Sequence, residues 1–419
     1  MMTQAFYTGL SGIRTNQYAI DVVSDNLANI STVGFRGYET EFSSMFQTVL
    51  NTSANSSSVD SGIGVGSTLK STSMMQSTGS LQLSDKATDL AIFGDGWFGV
   101  QGGNDPIYTR DGNFTFDANS DLVTMDGFHV LGTMGKNIQN DVLTAVLDEV
   151  KLADVAAQEK LQFPQSLTYP SEPSSTAKFL GNIGTGDEIR TIGAGVIDPQ
   201  NNKNHLKLTF TKAAVQTPPG SQWDVVATTK TLDGLTTYDT QTGTASFDAS
   251  GALESTTLTS INNNGAQVAM NLGSGYDGVT SISNLNITAS SIADGTQGGD
   301  LVGYDINKNA EVIATFSNGR QSSVGKLAVF HFQNDQGLNR LNGSRFEESE
   351  NSGEPLFFKD ESGENIIGTD IVNFKLEGSN VSMSYGLTEL IILQRSFDAN
   401  SKSVTTADQM MQKALDMDA

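Results

Sequence analysis

Both ends of the chain place apolar residues at every seventh position, and this repeat limits what the ends can fold into. The apolar column reads Phe6, Ile13, Ile20 and Leu27 near the start and Met383, Leu390, Phe397, Val404 and Met411 near the end. A second, mixed column lies between these positions and reads Leu10, Gln17 and Ser24, then Leu387, Gln394, Ser401, Asp408 and Leu415. A strict seven-residue repeat is typical of helices that form left-handed supercoils, and polar residues in one column fix the register. The repeat therefore predicts two terminal helices, roughly 40 Å and 50 Å long.

Two interpretations of these helices are open. The first is a pair of ordinary amphipathic helices docked on a globular domain, but an apolar column beside a partly polar one makes a narrow seam rather than a broad core face. The second is that the helices pair with each other and, because one pair leaves much of each stripe exposed, complete their burial against other copies of the chain. We favour the second, so the residues of both columns other than Asp408 are the predicted self-assembly seams of a homopolymer.

Between the helices, from about Gly79 onward, the sequence changes to the two-residue alternation of β-strands. The clearest alternation of apolar with polar or charged side chains is in residues 114–116, 206–211 and 374–376. Tight turns are predicted by Asn-Gly pairs that begin at Asn264, Asn318 and Asn342, the first two in hairpins. The middle of the chain is therefore predicted to be mostly β.

Two changes of composition divide this β part. Pro, Ser and Thr cluster near 164–176 and Gly is frequent at 294–299, so a domain between these points would be inserted into one formed by the flanking segments. The stretch 51–66 is rich in Ser, Thr, Asn and Gly and cannot bury a core of its own. The predicted fold class is α+β, mostly β, with the terminal helices forming a coiled-coil-like inner domain. The predicted boundaries are 1–30 plus 380–419 for the helical core domain, 31–78 for an extended linker, 79–165 plus 301–379 for an inner β domain and 166–300 for an outer, inserted β domain.

Composition excludes several classes of function. The net charge is −23, and −20 of it falls in residues 41–379, because residues 1–40 hold two basic and three acidic side chains and residues 380–419 hold three and five. Such a chain repels nucleic acid. It has no Cys and three scattered His residues, which leaves no disulfide, thiolate nucleophile or histidine metal cluster. No apolar run reaches membrane-spanning length and no secretory signal peptide is recognisable, so no membrane insertion is predicted.

A search for catalytic chemistry leaves no candidate. Asp117, Asn119 and Asp121 resemble the start of a calcium loop, but Leu122 and Phe128 stand where an EF-hand needs Gly and Glu. There is no G-x-S-x-G elbow, no P-loop and no dinucleotide-binding glycine pattern. We therefore predict that the chain is not an enzyme and that it has no catalytic, cofactor-binding or metal-ligating residue.

The two ends resemble the signatures of the bacterial flagellar axial proteins, the family that contains rod, hook and hook–filament junction proteins. Residues 9–36 resemble the N-terminal signature and residues 376–408 the C-terminal one. The signature residues carried over to this chain are Asn26, Asn29, Gly34 and Phe35, then Gln394, Arg395 and Asn400. Segments 92–100, 109–114 and 336–338 also look like parts of this family.

Within that family the resemblance is to the hook type. Rod-type members are similar at the ends and in the inner β domain but are much shorter, whereas residues of about 165–300 lie where hook proteins carry an additional outer domain. One departure is the Ser/Asn-rich stretch 51–66, which resembles a segment of the distal rod protein. A stiff distal-rod-type protein is therefore the alternative. A secreted acidic β-rich glycan-binding protein or hydrolase is a remote alternative from another class.

The resemblance implies a structural subunit that assembles into a curved, hollow tube in the bacterial flagellum. That tube would join the rod to the filament and transmit motor torque as a universal joint. The implied partners are many copies of the same chain, a rod protein at the proximal end, a hook-cap protein during assembly, a hook–filament junction protein at the distal end, and the flagellar export apparatus. Export by that apparatus would place the chain outside the cell without a cleaved signal peptide.

Overall fold

The computed structural model describes residues 2–47, 63–103, 105–216, 218–341 and 344–416. One long helix lies near each end of the chain, α1 (Met2–Ala28) and α2 (Met383–Asp416), and the residues between them form short and long strands. The prediction of a mostly β chain with a helix at each terminus is confirmed. Neither helix in the described part of the chain has a stretch apolar enough to cross a membrane.

The strands fall into three groups along the chain. Those before residue 170 are β1 (Tyr38–Gln47), β2 (Ile63–Met74), β3 (Leu81–Leu83), β4 (Leu90–Phe93), β5 (Trp97–Gln101), β6 (Ile107–Thr109), β7 (Phe114–Phe116), β8 (Leu122–Thr124), β9 (His129–Met134), β10 (Ile138–Gln139), β11 (Val142–Leu143), β12 (Glu159–Lys160) and β13 (Thr168–Tyr169). Those of the middle group are β14 (Thr176–Asn182), β15 (Arg190–Ile197), β16 (Lys203–Lys212), β17 (Ser221–Thr231), β18 (Thr237–Phe247), β19 (Leu253–Thr256), β20 (Ser260–Asn263), β21 (Ala266–Asn271), β22 (Gly273–Ser274), β23 (Asp277–Thr280) and β24 (Ser290–Ala293). Those of the last group are β25 (Gly299–Ile306), β26 (Glu311–Phe316), β27 (Gln321–Leu327), β28 (Val329–Phe330), β29 (Asn339–Arg340), β30 (Arg345–Glu347), β31 (Phe358–Lys359), β32 (Asn365–Ile366), β33 (Asp370–Asn373) and β34 (Lys375–Glu377). Two short 3-10 helices, Val155–Ala157 and Asp335–Gly337, interrupt the first and last groups.

One large sheet, which we call the main sheet, combines strands of the first and last groups. Its continuous order is β10-β11-β13-β25-β26-β27-β9-β5-β6-β30-β29, with β7, β8, β12 and β28 paired at its side. Thr168 of β13 lies opposite Asp300 of β25, so the chain leaves this sheet and re-enters it at neighbouring strands. Its core contains Phe98, Phe114 and Phe316, all fully buried or nearly so.

Strands β14–β24 form a two-layered sandwich. The order β15-β16-β17-β18-β19 makes an antiparallel five-stranded sheet, and β14 with β20–β24 makes a six-stranded one. Alternate residues of β16 and β17 are buried between the layers, among them Leu206, Phe210 and Trp223, which confirms the alternation predicted for 206–211. Among the described residues, the ladders of these strands join them only to one another. The two layers share one hydrophobic core.

The chain enters and leaves the sandwich through two strands held side by side. Glu172 and Thr296 form an antiparallel bridge. Beyond it, the Asp294 carboxylate accepts hydrogen bonds from the backbone N–H groups of Ser175 and Thr176 (2.9 and 3.0 Å) and from both hydroxyl groups (2.6 and 3.1 Å). Burial opposes ionisation, but these hydrogen bonds outweigh it and hold the pKa of Asp294 at about 2. The segments that lead into and out of the sandwich are therefore bonded to each other.

Several hairpins share one turn, in which an Asp or Asn side chain closes the loop. The Oδ1 atom of Asp117 accepts hydrogen bonds from the backbone N–H groups of Asn119 and Asp121, at 2.8 and 2.9 Å. Ser120 takes the left-handed conformation that this turn needs, with φ 67°. The same bonding pattern begins at Asp198, Asp248, Asn307 and Asp360. The segment that resembles a calcium loop is therefore the turn between β7 and β8.

The remaining local predictions concern the Asn-Gly turns and the strand at 374–376. Asn264 and Gly265 join β20 to β21, and Asn318 and Gly319 join β26 to β27, so both predicted hairpins are confirmed. The pair at 342–343 lies outside the described residues. The strand predicted at 374–376 begins one residue late, because Phe374 has φ 57° and cannot extend the ladder.

The segment predicted as an extended linker, 31–78, is largely paired. β1 and β2 form an antiparallel ribbon from Tyr38 opposite Met74 to Gln47 opposite Ile63. Residues 51–62 of the Ser/Asn-rich stretch 51–66 lie outside the described residues. Composition pointed to a linker because the ribbon has few apolar residues, and it is stabilised instead by ladder bonds and by contact with α1.

His331 predicts a pH dependence of stability. It is buried, its Nε2 atom lies 2.7 Å from the Ile367 carbonyl oxygen, and its ring packs on Phe358 at 4.4 Å. Burial lowers the pKa of His331, so the folded chain binds fewer protons than the unfolded one, and stability falls as pH drops below about 6.5. Between pH 7.5 and 5.5 we expect urea unfolding to show a loss of stability that His331→Gln lacks. Equal pH dependence in both proteins would contradict this assignment.

Candidate functional site

The two terminal helices pack against each other in opposite directions. Gly9, near the start of α1, lies against Val404, and Leu27, near its end, lies against Gly386 at the start of α2. The buried cluster between these contacts consists of Ala19, Val23 and Leu393. The helices predicted to pair with each other are therefore in contact along most of α1.

The apolar column supplies Ile20, Leu27 and Leu390, which pack against this buried cluster, and Val404, which lies against Gly9. Its members are half-buried apart from Met383, which is exposed. In the mixed column, Leu10 and Ser401 are half-buried, and the exposed members are Gln17, Ser24, Leu387, Gln394, Asp408 and Leu415. The second column consists instead of residues three positions after the apolar ones, namely Gly9, Asn16 and Val23, then Gly386, Leu393, Asn400 and Ala407. All are buried except Asn16 and Asn400, which are half-buried. Three of them, Gly9, Gly386 and Ala407, are small, which lets the two backbones approach closely.

A stripe of large apolar side chains on α2 stays outside the helix pair. Met383, Leu387 and Ile391 are spaced four residues apart, which places them along one face, and they are 56%, 47% and 51% exposed. Ile392 beside them and Tyr18 on α1 are also exposed. Monomeric proteins rarely expose a contiguous apolar patch of this kind, so the stripe is a surface on which another chain can be buried.

Besides packing on α2, helix α1 also contacts the ribbon. The Thr15 hydroxyl donates to the Ser67 carbonyl oxygen (3.1 Å), and the Ser67 N–H donates to the Ser11 hydroxyl (3.3 Å). Near the end of the helix, Asn26 donates to the Tyr38 carbonyl oxygen (2.7 Å) and accepts from the Tyr38 N–H (2.9 Å). The ribbon is therefore fixed on α1 by side-chain bonds to its backbone.

A buried ion cluster joins both ends of the chain to the main sheet. Glu377 lies 3.1 Å from Arg36 and 3.3 Å from Arg110, and each of these side chains is at most 4% exposed. The Gly79 N–H also donates to this carboxylate (3.0 Å), and the guanidinium of Arg110 lies 5.3 Å from the Trp97 ring centre. Burial, and then the neighbouring Arg36, lower the pKa of Arg110 to about 10, which leaves it charged at neutral pH.

Asn380 completes this junction. Its Oδ1 atom accepts from the Gly37 N–H (2.8 Å), and its Nδ2 atom donates to the carbonyl oxygens of Met75 (3.0 Å) and Ser77 (2.9 Å). Sequence reasoning missed both Glu377 and Asn380 as functional residues. The available signal was a single carboxylate between Leu376 and Gly378 in a strand predicted to be half-buried, because such a charge needs a buried partner.

The signature residues have different structural roles. Gly34 has φ 67°, and a Cβ there would lie 2.4 Å from the Asp111 backbone nitrogen, so only glycine fits. Phe35 is buried, and Asn29 donates to the carbonyl oxygen of residue 25 (2.9 Å) at the end of α1. Asn400 lies against Gly12 in the helix contact. Asn26 forms the two bonds with Tyr38 described above, and Gln394 and Arg395 are exposed on α2.

The close contact at Gly9 predicts the effect of adding one methyl group. A Cβ at this position would lie 2.7 Å from Val404 Cγ2 and 3.3 Å from the Asn400 carbonyl oxygen. Overlap of this kind outweighs the gain in helix propensity, so we expect Gly9→Ala to destabilise the helix pair by about 1 kcal/mol. The matched control is Ser24→Ala, an exposed position of the same helix that should gain a few tenths of a kcal/mol. Thermal melts followed by helix circular dichroism separate the two, and equal stabilisation would contradict the contact.

Three family models match separate parts of the chain. The model described as flagella basal body rod protein matches residues 6–36, which lie in α1 and the turn after it. The model of the flagellar hook protein FlgE/F/G D1 domain matches residues 91–168 of the main sheet. The model of the flagellar basal body rod FlgEFG protein C-terminal region matches residues 374–417, which include α2.

Several relatives align with this chain over nearly the whole length of both sequences. The flagellar hook protein FlgE of Borreliella burgdorferi is 26% identical, over 98% of this chain and 99% of that protein. FlgE of Brucella suis is 29% identical over 96% of each chain, and FlgE of Salmonella typhimurium is 25% identical over 97% and 98%. The crystal structure of the Helicobacter pylori hook protein FlgE2 matches in fold with a TM-score of 0.50 at 16% identity, over 71% of this chain and 100% of that one.

Proposed function

We propose that this chain, which belongs to the flagellar hook protein family, assembles with many copies of itself into a curved, hollow tube that joins rod to filament and transmits motor torque as a universal joint. The observation that supports assembly most directly is the exposed stripe Met383, Leu387 and Ile391 on the paired helices. A patch that meets a different surface of the next copy makes a contact that does not close on itself. Repeating such a contact produces a helical polymer.

The proposed domain layout follows the predicted boundaries. Residues 1–30 and 380–419 would form the helical domain at the centre of the tube, where many copies meet and a nearly neutral surface avoids repulsion. The β domains, 79–165 plus 301–379 and the inserted 166–300, would face outward, where solvent and salt screen their acidic charge. Two separate hydrophobic cores, one in the main sheet and one in the sandwich, support this division. Segment 31–78 would act at contacts between subunits.

The proposed partners follow from a position in the hook. A rod protein would contact the proximal end of the polymer and a hook–filament junction protein its distal end. A hook-cap protein would hold the growing end during assembly, and the flagellar export apparatus would deliver each subunit to the outside of the cell without a cleaved signal peptide. Such a polymer would leave the stripe uncovered at one end and the surface that receives a stripe uncovered at the other, and the rod and junction proteins would cover these two surfaces.

The assembly surface is tested by substituting exposed residues, since these contribute little to the single chain. We expect the double variant Leu387→Ser/Ile391→Ser to keep its fold and to raise the concentration needed for polymerisation by about a hundredfold, because burial of two large side chains is lost at each contact. Val302→Ser is the matched control, because Val302 is 71% exposed but lies on β25, away from the helices. Polymerisation of the double variant at the concentration of the control would contradict the assembly surface.

The location is tested by immunogold electron microscopy of detergent-extracted flagella, with antibody raised against residues 170–300. Gold along the short curved segment between rod and filament is the expected result, and it would also place the inserted domain on the outside. Gold confined to the rod would favour a distal-rod-type protein. An unlabelled flagellum would overturn the proposed function altogether.

A further inference from the structure

Residues 335–340 contact α1, the ribbon and the main sheet at once. This segment consists of the short helix Asp335–Gly337, Leu338 and strand β29. We infer that it is a mechanical coupler, which makes the terminal helices with their ribbon and the main sheet move as one body. The inference concerns coupling within one chain and does not depend on the polymer being a hook.

The first contact of the coupler is a clamp on the ribbon. The Gln336 side chain accepts a hydrogen bond from the Met74 N–H (2.6 Å) and donates one to the Met74 carbonyl oxygen (2.7 Å). Both backbone groups of one residue are thus bonded to one amide, as they would be to a neighbouring strand. This arrangement fixes the ribbon in orientation as well as in distance from the main sheet.

The second contact is the guanidinium of Arg340, which bonds three parts of the helical end. It lies 2.9 Å from the Asp25 carboxylate of α1 and 5.0 and 5.3 Å from the ring centres of Phe35 and Tyr38. A planar cation can satisfy a carboxylate along its edge while its faces lie on aromatic rings. Arg340 therefore ties the end of α1 and the start of β1 to the same point.

The base of the coupler is fixed in the main sheet. Trp97 Nε1 donates to the Asp335 carboxylate (3.3 Å), and Trp97 is buried with its ring 4.8 Å from that of Phe346. Leu338 is buried in the same hydrophobic cluster, which also contains Met74 of the ribbon. Asp335 and Leu338 are thus fixed in the main sheet, and Gln336 and Arg340 bond the ribbon and α1 within four residues of each other. A displacement of the terminal helices must therefore also displace the sheet.

The test compares two arginines with the same kinds of contact. Arg340→Gln removes the coupler's positive charge. Arg345→Gln removes an arginine of β30 that pairs with Asp126 and lies 4.3 Å from the Phe128 ring, in the turn between β8 and β9. Hydrogen–deuterium exchange of the full-length, assembled protein would be followed by mass spectrometry. We expect Arg340→Gln to speed exchange roughly tenfold in residues 35–42 and 66–75 and to leave 312–316 unchanged. Arg345→Gln should leave 35–42 and 66–75 as in the unmodified chain.

Three results would contradict the inference that residues 335–340 couple the helices to the main sheet. One is unchanged exchange in Arg340→Gln, the second is an equal increase in both variants, and the third is an increase that includes 312–316 and so reports general destabilisation. Gln336→Ala is the second variant, because it removes the clamp on Met74 without altering charge, and it should speed exchange chiefly in 66–75. Loss of the hook localisation with normal coupling would count against the proposed function only.

Discussion

Replacing Leu393 with aspartate is expected to abolish polymerisation while leaving both β cores folded. Leu393 is buried against Ala19 and Val23 in the contact between the helices. The substitution removes the burial of a large side chain and places a charge in an apolar contact without a partner, which together cost more than about 4 kcal/mol. Such a loss raises the concentration needed for assembly by roughly a thousandfold. Sedimentation of the polymer over a range of protein concentrations measures this effect.

An exposed residue of the same helix provides the control. Ala399→Asp introduces the same charge on α2 at a position that lies neither in the helix contact nor on the face of Met383, Leu387 and Ile391, and assembly should proceed near the concentration of the unmodified chain. Near-ultraviolet circular dichroism checks that the β cores of both variants stay folded. If Leu393→Asp assembled as readily as Ala399→Asp, the helix pair would not be the structure on which assembly depends.

Replacing Glu377 with alanine is expected to lower the free energy of unfolding around the junction by about 3–5 kcal/mol. Glu377 is the carboxylate between Arg36 and Arg110, and its removal leaves two buried cations without a counter-charge. The fluorescence of Trp97, which lies beside Arg110, reports unfolding at this point if Trp223 is first replaced by phenylalanine. The Trp223 indole N–H has no hydrogen-bond partner, so that replacement breaks no bond.

An exposed ion pair is the control for this prediction. Glu364 pairs with Lys151, and both side chains are at least half exposed, so Glu364→Ala should change the free energy of unfolding by less than about 1 kcal/mol. A small effect for Glu377→Ala as well would mean that water or a rearranged side chain replaces the lost carboxylate. In that event the cluster would not hold the two ends of the chain on the sheet.

The terminal helices could be predicted because their apolar residues repeat over the whole of each element. Ile20, Leu27 and Leu390 of the seven-residue column pack in the contact between α1 and α2. The second column could not be predicted in the same way, because it mixes Gly and Asn with the apolar Val23, Leu393 and Ala407 and so has no continuous apolar pattern. A search for apolar residues predicts Leu10 and Leu387 in the contact. The residues found there are Gly9 and Gly386, because the close approach of the two helices leaves no room for a larger side chain.

The β part shows the same limit. Alternation identified β16, because one face of this strand is buried and the other is largely exposed. The strand predicted at 114–116 forms as β7, but Thr115 and Phe116 are both half-buried, so its burial does not alternate. The ribbon was missed because it is stabilised by ladder bonds and by polar contacts such as that of Asn26 with Tyr38, which leave no periodic signal. The junction was missed for a different reason, since Glu377 meets Arg36 across nearly the whole sequence and a single sequence does not reveal such pairs.

The opposite directions of α1 and α2 have a consequence for the order of folding. The contact of Gly9 with Val404 closes a loop that contains every strand of the chain, whereas each hairpin of the sandwich closes a few residues. Local hairpins form quickly, and contacts distant in sequence form slowly because they close long loops. We therefore expect the helix pair to be the last element to form, because both of its helices must first be synthesised. If the chain assembles as proposed, a subunit cut short before residue 383 would leave α1 without a partner and would not enter the polymer.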